Sequence, residues 1–497
     1  MNAYETLERR FARLSTLGEI QAVMQWDTAT VMSAAAASSR ADQMALLHVM
    51  QQEVLTAPDI FDLLGAAEEE ELDAWARANL REMTRRVQHA SAVPTETVAA
   101  FARTSARCEH RWRAARDDDD FAGVAPLLGD VVSLVREIGA AKGEVLGVTP
   151  YEALLDAFEP GIREADIDPH FDALGAWLPG FREEVAAAQA KRPAVLPLAG
   201  PFDVSAQRTL GEALMRVVGF DFEGGRLDVS RHPFCGGNPD DIRITTRYDP
   251  ADFASALMGV LHESGHAMYE RQRPSAWRRQ PVGEARGMAV HESQSLLIEM
   301  QACRSRAFAT FVAPRLREAF GGSGPAWEAD NMYRRNTVVA PGFIRVDADE
   351  VNYPAHVLLR YQLERALVAG TLDVADLPEA WAEASRRHLG LSPPDDRRGC
   401  LQDIHWFDGA FGYFPSYTLG AMLAAQLFAA ADRALGDVSG DLARGDFRPL
   451  VAWLGEHVHQ HGSRYTTPEL VEVATGMPLG ITAYQAHLRE RYVAGDR

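Results

Sequence analysis

The chain has 497 residues, 70 acidic against 50 basic, a formal net charge of −20 and a hydrophobic content of 47%. A 24% charged fraction beside that apolar content is the ordinary globular balance, with length enough for a sizeable core, so global disorder is excluded. The acidic excess repels phosphate backbones and anionic lipid, which argues against nucleic-acid or membrane partners. No run reaches the ~18 apolar residues of a bilayer span, and the start, Met1 to Arg10, lacks an apolar export core. The expectation is a soluble, cytoplasmic protein. Cys108, Cys235, Cys303 and Cys400 lie far apart, as free thiols of a reducing compartment would.

In chain order, Leu7, Phe11, Leu14 and Leu17 recur at helical spacing. Residues 67–92 open with Glu68 to Glu71 and continue into a basic stretch, the order a helix dipole prefers. The run Asp117 to Asp120 reads as a solvated loop or helix start. Helical periodicity returns over 163–190 and 205–218. Residues 225–248 differ: short runs containing β-branched residues, broken by Gly, Asn and Pro, predict one small antiparallel sheet. From Pro250 helical patterns hold to the end. The class is mostly α, and no linker divides the chain. We therefore expect a single unit over 1–497, with its motif-bearing core at about 225–425.

His262-Glu263-Ser264-Gly265-His266 is an HExxH pattern inside an apolar-striped helical segment. Residues i and i+4 share a helix face, so both imidazoles can reach one cation, and Glu263 can lie beside a water without being a ligand. Neutral imidazoles suit zinc, and a catalytic site keeps one position open. A third ligand is needed. Tyr269 and Gln272 stand where a metzincin would have Gly and His, so a carboxylate on a following helix is the alternative. Glu284, Glu292 and Glu299 are the candidates. Glu292 is the best of them, with 25 residues between it and His266, enough to bring a second helix back. Glu299, two turns along the same face, reads as a hydrogen-bond acceptor behind a ligand, and His291 points some 100° away from Glu292.

Two further polar runs, Ile344 to Tyr353 and Gly399 to Trp406 with Gly412 to Tyr417 after it, exceed what plain helices need. With HPF (His232 to Phe234), DxRxT (Asp241 to Thr245), HExxH, HESQ (His291 to Gln294), IRxxAD (Ile344 to Asp349) and GxxQDxHW (Gly399 to Trp406), the sequence resembles the thermostable (Taq-type) metallocarboxypeptidases. These motifs span about a third of the chain. Trp26-Asp27 with Thr30 fits the family's N-terminal pattern, although a proline is missing near Ser33.

The resemblance implies a two-lobed helical body with a deep groove and a small sheet near the zinc-binding helix. It also implies a homodimer, and removal of single C-terminal residues from peptides with broad specificity, using zinc, for which cobalt substitutes. On this reading His262, His266 and Glu292 hold the metal and Glu263 is the general base. His405 or Tyr417 donates to the oxyanion. Arg345 receives the free α-carboxylate of the substrate, since a guanidinium matches a carboxylate bidentately. Arg243 pairs instead with Asp241, and Asp349 and Asp403 are expected partners of an imidazole or of the arginine. The competing readings are a related zinc oligoendopeptidase and a non-catalytic, metal-stabilised helical interaction protein.

Overall fold

The structure is a computed structural model that describes residues 2–495. The first helix, Ala3–Thr30, starts in a capping box between Asn2 and Glu5 and buries Leu7, Phe11, Leu14 and Leu17, the predicted stripe. These side chains meet Ile60, Leu64, Leu80, Met83 and Val87 in a small N-terminal core. The predicted helix over 67–92 begins later, at Ala74, where the Asp73 side chain accepts from the Ala76 amide. The acids ahead of it have another use: Glu70 accepts from the free amides of Ala3 and Tyr4 at the start of the first helix. Within the Asp117 to Asp120 run, Asp119 closes one helix in the left-handed conformation, and Asp120 opens the next by accepting from Gly123.

The sheet lies where the sequence puts it, but it is mixed rather than antiparallel. Strands β1 (Gly225–Val229), β2 (Cys235–Asn238) and β3 (Asp241–Thr246) take the order β1-β3-β2. The chain reverses after β1 and again after β2, so β3 runs in the direction of β1. It inserts beside β1 in parallel register (Leu227 with Ile244) and pairs antiparallel with β2 (Cys235 with Ile244). Alternating residues mark strands but carry no information on which edge the third one joins. Leu227, Ile242 and Ile244 pack in the same core as the HExxH helix, Phe253–Gln272.

The apolar interior beyond the N-terminal core divides in two. One core holds the sheet and Leu257, Val260, Leu261 and Tyr269 of the HExxH helix. The other holds Val357, Leu359, Trp406 and Phe414. Two helices feed both. Met288–Leu296 gives Ala289 to one core and Val290 to the other; Pro415–Leu435 gives Met422 to one and Leu423 to the other. All four cysteines are unpaired. No described helix is long and apolar enough to cross a membrane.

The HExxH helix and its neighbour meet at Gly265. A Cβ there would stand 2.4 Å from the Gln294 carbonyl oxygen and 2.6 Å from the Ser295 Cα, both backbone atoms that cannot swing aside. Gly259, two turns earlier, faces open space. Gly265→Ala is therefore expected to destabilise the fold by about 1–3 kcal/mol through overpacking, whereas Gly259→Ala is expected to be neutral or stabilising by up to ~1 kcal/mol. Thermal or urea unfolding of the two variants checks the contrast.

Candidate metal centre

The HExxH helix presents His262 and His266 on one face, with ring centroids 5.0 Å apart. Met288–Leu296 runs beside it and points Glu292 between them. Glu292 Oε2 lies 3.9 Å from His262 Nε2 and 3.5 Å from His266 Nε2. One ligand atom from each of the three fits within 4.8 Å of the others. Metal–ligand bonds of 2.0–2.2 Å in tetrahedral arrangement separate donors by about 3.3–3.6 Å, so the trio has the spacing and chemistry to hold one divalent cation. Of the other sequence candidates, Glu284 is bound to Arg86. Glu299 accepts from His262 Nδ1 at 2.9 Å and from Arg304 at 2.7 Å, which fixes the His262 ring from behind. Glu299 sits on a π-helical turn, Leu297–Cys303, that continues the Glu292 helix. His291 turns away to Glu270 at 2.9 Å, its ring tilted against His266.

The electrostatics are lopsided. Burial alone would drive His262 down, but Glu292 and Glu299 raise its pKa to about 10. Burial and the neighbouring His291 lower His266 to about 4. Burial, with Glu292 adding to it, raises Glu263 to about 7. Three carboxylates around two imidazoles form an environment that a cation would neutralise.

A cavity of about 440 Å³ is lined by His262 and Glu292 of the trio and by Arg345, Tyr353 and Tyr417. His405 stands behind Tyr417, its Nε2 3.3 Å from the phenolic oxygen and its ring against Phe414. Arg345 is buried. Its Nε and Nη2 donate to Asp403 Oδ1 at 3.0 and 2.9 Å, and its Nη1 donates to Tyr353 at 2.7 Å. Arg360, wholly buried on the helix Tyr353–Ala369, donates to Asp403 Oδ2 at 2.6 Å. Two guanidiniums thus share one carboxylate, held well below the usual carboxylate range by both of them against the opposing effect of burial. Within this buried cluster of two arginines and one aspartate, one positive charge is in excess.

Sequence reasoning missed Arg360. Its only signal was an arginine embedded in the apolar run Val357, Leu358, Leu359. Asp349 is a local cap, accepting from the amides of Val351 and Asn352, and touches neither arginine. Arg243 donates to Asp241 at 2.6 Å as expected, and stacks with Arg226 over Trp26. Trp26 in turn donates to Asp228 at 3.2 Å, so the N-terminal tryptophan braces the sheet. Of the HPF run, Pro233 reaches the cavity wall and His232 is exposed.

The family model described as "Carboxypeptidase Taq (M32) metallopeptidase" matches residues 6–492. The thermostable carboxypeptidase 1 of Thermus thermophilus is 39% identical, over 99% of this chain and 98% of its own. The structure of Trypanosoma cruzi metallocarboxypeptidase 1 superposes with a TM-score of 0.96 at 43% identity, covering 99% of both chains. An M32 carboxypeptidase from Deinococcus radiodurans R1 does so at 0.92 and 35%, covering 99% of this chain and 98% of that one. Neither the endopeptidase nor the non-catalytic reading is favoured by these matches. A site built for a divalent cation and likeness along the whole chain lead to one conclusion: this protein belongs to the carboxypeptidase Taq (M32) metallopeptidase family and is a peptide-hydrolysing metallocarboxypeptidase.

Proposed function

We propose that the protein is a zinc carboxypeptidase that releases single C-terminal residues with broad specificity, cobalt being able to replace zinc, and that the chain acts as one catalytic unit. The observation that carries this reading is Arg345 in the wall of the cavity that His262 and Glu292 also line, backed by the buried Asp403 and Arg360 in a cluster with one positive charge in excess. A free α-carboxylate is the anion that complements it. With two of its five N–H donors uncommitted, Arg345 can take that carboxylate without releasing Asp403.

His262, His266 and Glu292 would hold the cation, which when bound would supply polarisation of the scissile carbonyl and a lowered pKa, toward ~7, for a water. Glu263 accepts the proton of the attacking water and passes it to the leaving amine. Tyr417, which lines the cavity, donates to the carbonyl oxygen as that atom gains negative charge. Burial pushes the Tyr417 phenol up, so it keeps its proton to donate. His405 is not among the residues that line the cavity and meets Tyr417 at 3.3 Å, and its role is to hold that hydroxyl in place. The family resemblance supports a homodimer, and four unpaired cysteines are consistent with a cytoplasmic setting.

Glu263→Gln is expected to retain metal while turnover falls by about 10²–10⁴-fold. Glu292→Ala is expected to lose metal on dialysis; elemental analysis beside kinetics separates the two effects. Arg345→Ala is expected to raise KM for free-acid peptides by about ten- to a hundredfold. Mass spectrometry of digests tests the reading as a whole: free-acid peptides shorten by one residue at a time, and their C-terminally amidated counterparts resist. Equal cleavage of both would overturn it. Light scattering should give a mass near twice 54.6 kDa.

A further inference from the structure

We propose that a second cavity, of about 620 Å³, is a subsite for an acidic side chain on the upstream part of the peptide substrate, and that Lys142 is its specificity-determining residue. This rests on the carboxypeptidase reading above, which sets the direction of the peptide.

Three chains of contact link the metal centre to this cavity. The segment 233–238, which ends in strand β2 (Cys235–Asn238), leads from Pro233, on the wall of the metal cavity, to Gly237 and Asn238, on the wall of the second. The chain of contacts from His266 passes through the His291 ring at 4.5 Å to Glu270 at 2.9 Å, and Glu270 lines the second cavity. Tyr417 packs on Tyr413 at 5.2 Å and Tyr413 on Phe158 at 5.0 Å; the next residue back, Ala157, again lines the second cavity. A peptide leaving the metal on the side away from Arg345 would enter this space. β2 is an edge strand of the sheet. At ~3.3 Å per residue, the five steps from Pro233 to Asn238 cover ~16 Å, so the side chain that arrives belongs to a residue four or five positions before the scissile bond.

The charge of the cavity is specific. Its walls carry Arg85, Arg86, His89, Lys142, Arg273 and Arg278 against Glu19, Glu270 and Glu284. The arginines are answered: Arg85 by Glu82 and Asp156, Arg86 by Glu284, Arg273 by Glu270, Arg278 by Asp240. Lys142 is not. Half-buried, it makes no hydrogen bond or ion pair among the described residues; burial lowers its pKa, the distant pull of Asp156 opposing and Arg85 assisting. His89 binds Asp156 through Nε2 and keeps Nδ1 buried without a partner. The chain otherwise uses arginine almost exclusively: Lys142 and Lys191 are the only lysines among 50 basic residues.

The test uses the zinc-loaded protein and N-blocked peptides that differ only in Glu or Gln four and five residues before the scissile bond. The Glu peptide is expected to show a KM about fivefold lower at equal kcat, as one partly shielded ion pair gives, and the difference is expected to shrink in high salt. Lys142→Gln should bring the ratio to about one, and Lys142→Arg should retain it. Inorganic phosphate should raise KM for the Glu peptide but not for a blocked dipeptide too short to reach the cavity. Equal KM values for the two peptides in the unaltered protein, or a ratio that survives Lys142→Gln, would overturn the proposal. Phosphate binding without peptide discrimination would also overturn it, and would reassign the cavity to free anions. Failure of the carboxypeptidase reading itself would appear separately, as absence of release from the blocked dipeptide.

Discussion

Two helix backbones approach more closely than side chains ordinarily permit, and the metal centre depends on it. Gly265 lets the HExxH helix lie on the backbone of Gln294 and Ser295. On the far side of the same neighbour, Gly420 faces Glu292; a Cβ there would come within 2.9 Å of the Glu292 Cβ. The helix Met288–Leu296 is thus gripped between two partners, each brought in by a missing methyl group. Glu292 meets both imidazoles as a consequence of that grip, and close-packed interiors leave it little freedom to retreat.

Two charge imbalances of opposite sign face one cavity. Carboxylates outnumber the imidazoles at Glu263, Glu292 and Glu299, and guanidiniums outnumber carboxylates at Arg345, Asp403 and Arg360. Both sets are largely withdrawn from water, where a charge is felt more strongly than at the surface. The chain as a whole carries −20 and would repel an anionic peptide end. Beyond a screening length of ~8 Å that repulsion fades, so on the proposed reading the buried arginines decide the outcome at contact distance.

What was legible in the sequence was local or carried by spacing. The stripe from Leu7 to Leu17, the pairing of His262 with His266, and the contact between Arg243 and Asp241 each follow from residues a few positions apart. Glu292 could be singled out because it lies on a helical segment whose polar residues interrupt an apolar face, with chain enough after His266 to return, and Glu299 read as an acceptor behind a ligand; Glu292 stands 3.5 and 3.9 Å from the two imidazoles. The order of Tyr417 in front of His405 was not legible, since it depends on how Phe414 seats the imidazole. Nor was the parallel seam between β1 and β3, which is a matter of which edge stays free. Arg360 and Lys142 escaped for the same reason: nothing near them in the chain reveals that one shares an aspartate 43 residues away and that the other has no partner.

The two apolar cores also divide the labour of the cavity. The histidines ride on the core that contains the sheet; Arg345, Asp403 and Arg360 are anchored in the core of Val357, Trp406 and Phe414. Among the described residues, only the seam helices Met288–Leu296 and Pro415–Leu435 belong to both. On the proposed reading, the gap between the two anchors is a ruler whose length is written into that seam, and a tilt of one core against the other would change which bond of a peptide meets the histidines.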